Sequence, residues 1–564
     1  MAEIEKVAIA RLDTGVPGLN MVLGGGLPEY SFNLLAGGPG GGKTTLGMQM
    51  LFANATPERP GLFFTVLGEP TLKLLRYEQQ FSFFKPEVVG SAIRLLNLSD
   101  EVLQHDLGKV LDRIAREVEE VKPAFVVVDS FRTVVRTVPN TGKRAMQVEH
   151  FVQNLALQLT SWEVTSFLIG EYTDAESHNP LFTVADGVLW LSQDVDRNSV
   201  VRKLRVVKMR GQAPMPGLHT MRITGNGVQV FPRIPQRREE TERPKSRRRL
   251  STGITGMDEM MGGGIPAGDS VMLAGPTGSG KTTFGTHFLA AGARAGESNV
   301  VAVFEEYPDE YIRRAASFGL DLPALMDQGK LKVIYLRPLD LSVDETLQEI
   351  QDWVRQLSAT RVLIDSLSGF EVALAPTFRE DFRESLYRLV TALTATGVTV
   401  LMTDEVVESY SNLHFTSRTV SFLADDIIVQ RYAELDGELR TVLAVVKMRG
   451  SRHSKDLRMY EITPSGAVFG DVLRDYRGIL SGSPQLQRRI RRPAYPGLTH
   501  EEMIVLDTVI KLRGAAAGDV RARTGIASDP LERALERLVT LGYVTRSEEN
   551  GMSVYRAVAR IVDG

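Results

Sequence analysis

The stretch Gly37–Thr45, "GGPGGGKTT", and its counterpart Gly275–Thr283, "GPTGSGKTT", decide how the rest of the chain is read. Both fit G-x-x-x-x-G-K-T, follow a short apolar run ("SFNLLA" or "SVMLA") and precede helix-forming residues. That strand–loop–helix setting makes a phosphate-binding loop of a common glycine pattern. Glycines let successive N–H groups converge on phosphate oxygens at the positive end of the following helix. The candidates for this cradle are Gly37, Gly38, Gly40, Gly41 and Gly42 in the first stretch, and Gly275, Thr277, Gly278, Ser279 and Gly280 in the second. Lys43 and Lys281 are expected to reach the β- and γ-phosphates of ATP and Thr44 and Thr282 to hold Mg²⁺, with Thr45 and Thr283 beside them. A glycine-rich turn that binds nothing is the competing reading, and two matches in register weigh against it.

Working outward, other landmarks recur at the same spacing, the mark of an internal repeat. "TGVPGLN" from Thr14 returns as "TGITGMD" from Thr252, 238 positions later (252 − 14), as does Lys43 in Lys281 (281 − 43). The "KMRG" runs from Lys208 and Lys447 drift by a single position (447 − 208 = 239). The chain is a tandem duplication. Its 564 residues accommodate two α/β repeats, 1–231 and 250–484, and a smaller module, 499–564. Pro232–Arg249 and residues 485–498 are read as linkers, rich in charge or proline and poor in apolar residues.

Within each repeat an apolar run, "FVVVDS" or "RVLIDS", ends in Asp129 or Asp365. An acid at the carboxyl end of a buried strand is placed to orient the waters of a Mg²⁺ ion on the adjacent loop. The repeats differ at one point. "VVAVFEEYP" (Val300–Pro308) carries Glu305 and Glu306 where "LFFTVLGEP" (Leu62–Pro70) has Leu67 and Gly68. Hydrolysis or phosphoryl transfer needs a carboxylate to position and deprotonate the attacking oxygen. At a strand end the two side chains point to opposite sides, so one faces the nucleotide, and adjacent like charges raise each other's proton affinity. Glu69 in the first repeat is at best a displaced substitute. The first repeat is therefore expected to bind ATP and hydrolyse it poorly.

The tandem P-loops, the "FEE" run at Phe304–Glu306, "IDSLSG", the paired "KMRG" runs and "LSGSP" together resemble the KaiC family of RecA-like ATPases, over about residues 10–484. The resemblance implies two tandem RecA-like domains, two-tiered homohexameric rings and ATP bound between subunits. It implies Glu305 as base for water or a hydroxyl, with Glu306 beside it and Lys281 on the phosphates. It also implies that Lys208 and Arg210, and Lys447 and Arg449, reach the γ-phosphate of a neighbouring subunit. Family members phosphorylate an adjacent Ser–Thr pair, which falls here on Ser421 and Phe422. Half of that pair is missing, so a Ser421 autokinase and a plain ATPase both stay open.

From Thr499 the chain reads as helices followed by a hairpin at Asn550–Gly551, a winged helix-turn-helix pattern. Thr499 and Glu502 have capping-box spacing, with Met503, Leu506 and Ile510 expected inward, and Leu531, Leu535 and Leu538 inward on the last helix. The exposed side carries Glu532, Arg533, Glu536 and Arg537, and the wing Glu548 and Glu549. This mixed charge suits a protein partner better than DNA, which needs a basic surface. A net charge of −3 gives no general attraction to nucleic acid. There are no cysteines and no apolar run long enough to span a bilayer, so a cytoplasmic protein without a membrane partner is expected. Two other functions remain open: a RecA-like ATPase whose nucleotide gates nucleic-acid binding, and a signalling scaffold that barely turns over.

Overall fold

The computed structural model describes residues 9–66, 71–136, 144–172, 180–196, 199–233, 248–336, 341–379, 382–406, 423–435, 437–474, 476–479, 485–486, 495, 497–549 and 551–558. Leu67, Gly68, Glu69, Ser421, Phe422, Asn550 and most of the first linker lie outside them. The chain forms two compact units, one holding both repeats and one comprising residues 475–477 and 485–564.

The first repeat is a nine-stranded sheet built from β1 (Phe32–Gly37), β2 (Gly61–Thr65), β3 (Ile93–Asn97), β4 (Phe125–Asp129), β5 (Thr165–Glu171), β6 (Gly187–Asp196), β7 (Ser199–Met209), β8 (His219–Thr224) and β9 (Gly227–Phe231). Across the sheet the order is β9-β8-β7-β6-β1-β5-β4-β2-β3. The run from β6 to β3 is parallel; β7, β8 and β9 add antiparallel on the other side of β6.

The second repeat has the same order with β10 (Ser270–Gly275), β11 (Asn299–Val303), β12 (Leu331–Tyr335), β13 (Arg361–Asp365), β14 (Thr399–Glu405), β15 (Asp426–Leu435), β16 (Glu438–Met448), β17 (Arg458–Thr463) and β18 (Gly466–Val472). These are two RecA-like α/β domains in tandem.

The central parallel strands read as unbroken apolar runs because both of their faces are covered. In β4, Val126 and Val128 enter one core, whereas Phe125 and Val127 enter the core on the opposite face. In β13, Val362 and Ile364 face one core and Leu363 the other. Helix α1 (Lys43–Asn54) leaves β1 through the glycine-rich loop, and α2 (Lys281–Arg294) leaves β10 in the same way. Within this unit Arg222 of β8 pairs with Glu345 at 2.5 Å and Arg233 with Glu384 at 3.3 Å, joining one repeat to the other.

The second unit holds helices Leu-rich on one face around a three-stranded sheet. Its elements are α5 (His500–Leu512), β19 (Ala515–Ala516), α6 (Ala517–Thr524), α7 (Ser528–Thr540), β20 (Val544–Glu549) and β21 (Met552–Ala557), where α3 and α4 are the helices Pro308–Ala316 and Leu367–Ala373 of the second repeat. Both halves of the capping box at Thr499 and Glu502 are made, at 3.3 and 2.7 Å. Leu531, Leu535 and Leu538 are buried as expected, but on α5 the inward stripe is Val505, Leu506 and Val509. Met503 and Ile510 are only half-buried, since the helix is turned toward the shorter, β-branched side chains. Glu549 stands opposite Met552, leaving a two-residue connection between β20 and β21. Arg537 pairs with Glu502 at 3.3 Å, and Arg556 with Glu549, so part of the exposed charge is neutralised within the module.

Candidate nucleotide sites

In each repeat the first glycine of the loop ends the central strand, and the last one caps the following helix. Gly42 and Gly280 have φ of 90° and 91°, a backbone that a side chain would strain, and neither helix start has a side-chain cap. The first-turn N–H groups of α1 and α2 therefore keep their partners from outside the helix, which is what an anion needs. Lys43 donates to the carbonyl of Gly38 at 2.6 Å. Lys281 donates to those of Gly275 and Pro276 at 2.9 and 2.8 Å, so both ammonium groups sit within the curve of their loops. Burial holds both lysines below the ordinary range; Glu171 and Asp129 oppose this at Lys43, and Glu405, Asp365, Asp404 and Glu305 at Lys281. The loop of the second repeat is braced further. Ser279 bonds Pro276 O and Gln430, Tyr432 donates to Thr277 O, Tyr460 donates to Ser279 O, and the Thr277 hydroxyl meets Glu405. In the first repeat Arg202 donates to Gly40 O at 3.2 Å. Gly41 and Thr283 are buried, and Thr45 is half-buried at the start of α1.

Thr44 donates to Asp129 Oδ2 at 2.6 Å, so the loop hydroxyl and the strand-end carboxylate share one point in space. Asp365 occupies the same strand end in the second repeat and accepts from Thr403 at 2.5 Å; Thr282 lies in the first turn of α2. Hard hydroxyl and carboxylate oxygens in small number fit Mg²⁺, which keeps several waters and completes its shell with phosphates. Among the described residues no cluster of three or more acidic or imidazole side chains forms a self-contained metal cage. When bound, the ion would neutralise charge developing on the β- and γ-phosphates.

Glu305 and Glu306 lie in a bend just beyond β11, which stops at Val303, rather than on the strand itself. The buried Phe304 ends the run and turns the pair outward. The two do diverge. Glu305 Oε1 accepts from the Ser366 hydroxyl at 2.7 Å, and that hydroxyl also caps α4 by accepting from Gly369 N at 3.0 Å. A Cβ on Gly369 would lie 2.6 Å from Glu305 Cγ, so the bare glycine makes the niche for this side chain. Glu306 turns toward α3 and pairs with Arg314. Its carboxyl is raised mainly by burial, with Arg314 opposing and Asp365, Glu310 and Glu305 adding to the rise. Glu305 is among the carboxylates that oppose the lowering at Lys281.

The first repeat differs at the matching positions. The positions matching Ser366 and Gly369 are Ser130 and Thr133 (366 − 236 and 369 − 236), whose hydroxyls bond each other at 2.9 Å. Thr133 carries a branched side chain at the position where Gly369 has none. The sequence pattern signalled the missing carboxylates but not the part this position plays.

Lys208 and Arg210, and Lys447 and Arg449, are anchored alike in their own repeats. Lys208 donates to Thr183 O at 2.9 Å and Arg210 to Asp186 at 3.1 Å; Lys447 donates to Ala424 O at 2.6 Å and Arg449 to Asp425 at 3.2 Å. Strand register places them at the far end of the central strand. Met209 pairs with Gly187, itself beside Asn33, and Met448 pairs with Asp426, itself beside Val271. The loops begin four residues further along, about 13 Å away at ordinary strand rise.

Beside Arg449 sits a residue whose importance the sequence did not signal. Asp426 is buried, and neither carboxylate oxygen has a hydrogen-bond partner among the described residues. Burial, reinforced by Asp269 and Asp425, pushes its carboxyl up to about 7. The folded chain thus keeps a proton that the unfolded chain gives up near pH 4. The stabilisation is complete below that and is lost as the pH rises through about 7. Asp426→Asn is expected to stabilise the protein at pH 8 by roughly 4 kcal/mol, with the gain shrinking as the pH falls to 5; denaturant titrations at both pH values measure it.

Fold, loops and strand-end acids define a pair of tandem RecA-like P-loop nucleotide-binding domains. A family model described as "ATPase: KaiC" matches residues 12–234 and 250–472. The chain belongs to the KaiC ATPase family. It is 29% identical over 488 residues to the circadian clock oscillator protein KaiC of Rippkaea orientalis, covering 84% of this chain and 92% of that protein. It is 28% identical over 515 residues to the circadian clock protein KaiC3 of a Synechocystis species, covering 89% of this chain and all of that protein. Among the described residues no helix is long and apolar enough to cross a membrane.

Proposed function

We propose that this KaiC-type ATPase works as a homohexamer of two stacked rings with ATP between subunits, its second repeat turning ATP over while the first mainly holds it. The observation that carries the division is the Glu305 niche: Ser366 and Gly369 seat a carboxylate beside the strand-end acid Asp365, whereas the first repeat has Thr133 at the position of Gly369 and no glutamate at that of Glu305. In the second repeat Glu305 would orient water or a hydroxyl and take its proton, and Thr282 and Asp365 would hold Mg²⁺ with its waters. Thr44 and Asp129 would do the same for a resident ATP in the first repeat. Ser421 is the hydroxyl the kinase branch of this reading would use. Both catalytic branches make the protein a signalling or clock-like regulator whose output is conformational or carried by phosphate. The module at 499–564, read as a winged helix joined through residues 485–498, would dock a protein partner through its mixed-charge face.

Steady-state phosphate release measured with light scattering on full-length variants tests the division. Lys281→Ala is expected to remove most turnover and leave rings intact, while Lys43→Ala mainly weakens assembly. Loss of all hydrolysis in Lys43→Ala rings that remain hexameric would contradict it. Intact-mass analysis after incubation with Mg-ATP reports in the same samples whether Ser421 carries phosphate.

A further inference from the structure

The strand beside the P-loop strand ends in a glutamate in both repeats. Glu171 closes β5 directly opposite Gly37, and Glu405 closes β14 directly opposite Gly275. The next residue locks the junction, since Tyr172 N donates to Gly37 O at 3.1 Å and Val406 N to Gly275 O at 3.1 Å. In the first repeat the fixing is tighter. Tyr172 is buried, and the Arg132 guanidinium lies 5.2 Å from its ring centroid while donating to the Glu171 carbonyl. The backbone of Glu171 is thus held against the start of the loop, and its side chain is exposed in the crevice at the carboxyl ends of the parallel strands.

The two glutamates do not have the same employment. Glu405 accepts from the hydroxyl of Thr277, a residue of the loop, and the bend after β11, two strands away, supplies Glu305. The first repeat has Pro39 at the position of Thr277 (277 − 238), so its loop offers no hydroxyl there, and it has Leu67 and Thr133 at the positions of Glu305 and Gly369. Among the described residues, the carboxylate that register leaves beside the start of the first loop is Glu171.

Resting on the ATPase reading above, we propose that Glu171 is the water-positioning carboxylate of the first repeat and gives that repeat a slow hydrolysis of its own. Water held by Glu171 attacks the γ-phosphorus, the new O–P bond forms as the bond to the β-phosphate's bridging oxygen breaks, and ADP leaves. The proton of the water passes to the Glu171 carboxylate and then to solvent, so ATP and water give ADP and phosphate. Glu171, like Asp129, favours the charged form of Lys43, the lysine within the curve of this loop.

The test uses full-length protein carrying Glu305→Gln, which removes the second repeat's contribution, and compares it with Glu305→Gln/Glu171→Gln. The residual phosphate release is expected to fall a further ~10²-fold. Affinity for a fluorescent ATP analogue and ring size should stay unchanged, and Glu171→Asp should restore part of the rate. Glu69→Gln in the same background is expected to leave the residual rate alone. The proposal is overturned if Glu171→Gln changes nothing, if Glu69→Gln removes the residual rate, if the loss only tracks weaker ATP binding, or if Glu305→Gln alone leaves no residual release. Failure of the underlying reading shows differently, as wild-type release that Glu305→Gln does not lower.

Discussion

Glu305→Gln is expected to lower total phosphate release by about 10²–10⁴-fold while ATP binding and assembly persist. Glutamine keeps the length of the side chain and can still accept from Ser366, so the niche stays filled and α4 stays capped. What disappears is the negative charge that, on the proposed function, would hold water and receive its proton. The effect separates the two adjacent glutamates. Glu306 pairs with Arg314 on the other side of the bend, and Glu306→Gln removes an ion pair whose guanidinium remains partly exposed, a small term for stability and a remote one for chemistry. Gly369→Ala offers an independent route to the same loss, because its methyl group would enter the space held by Glu305 Cγ. An equal fall in rate for Glu305→Gln and Glu306→Gln would show that the pair works as a unit, contrary to the divergence of their side chains.

The sequence revealed most where the chemistry demands particular residue types at fixed spacing. The loops at Lys43 and Lys281 and the strand-end acids Asp129 and Asp365 were legible for that reason, and the constant offset between repeats carried one reading onto the other. The buried character of the central strands was legible too, since apolar runs such as "FVVVD" leave both faces to be covered. Three things were not legible. The Glu305 niche depends on Gly369, more than 60 positions away, and no local pattern ties a glycine in one helix to a carboxylate after another strand. Glu171 and Glu405 owe their place to register with the neighbouring strand, which pairs residues 134 and 130 positions apart (171 − 37 and 405 − 275). On α5, the periodicity was helical but its phase was misjudged, because Met503 and Ile510 are as apolar as the Val505 and Val509 that the core in fact takes.

The second large effect concerns Arg449, for which the geometry within one chain poses a problem. It lies level with Val271, about 13 Å along the strand from the loop that Lys281 anchors, and is tied there to Asp425. Ile427, Ile428 and Val429 of β15 stand between that anchor and the loop of the same chain. A guanidinium at the far end of the sheet contributes to ATP chemistry only if the nucleotide comes to it, as it does when another copy of the chain presents its own loop across a ring interface. Arg449→Ala is then expected to cost about 10³–10⁵ in turnover, the range for a charge supplied in trans, without loss of ATP binding by the isolated chain. Mixing decides between cis and trans. Arg449→Ala and Glu305→Gln are each expected to leave only a residual rate alone, but in rings assembled from an equal mixture roughly a quarter of the head-to-tail interfaces join an intact Glu305 to an intact Arg449. Phosphate release should therefore return to a measurable fraction of wild type in the mixture. If Arg449 acts on the ATP of its own chain, every subunit lacks one of the two groups and the mixture stays silent, because no rearrangement of subunits can repair a defect that each of them carries whole.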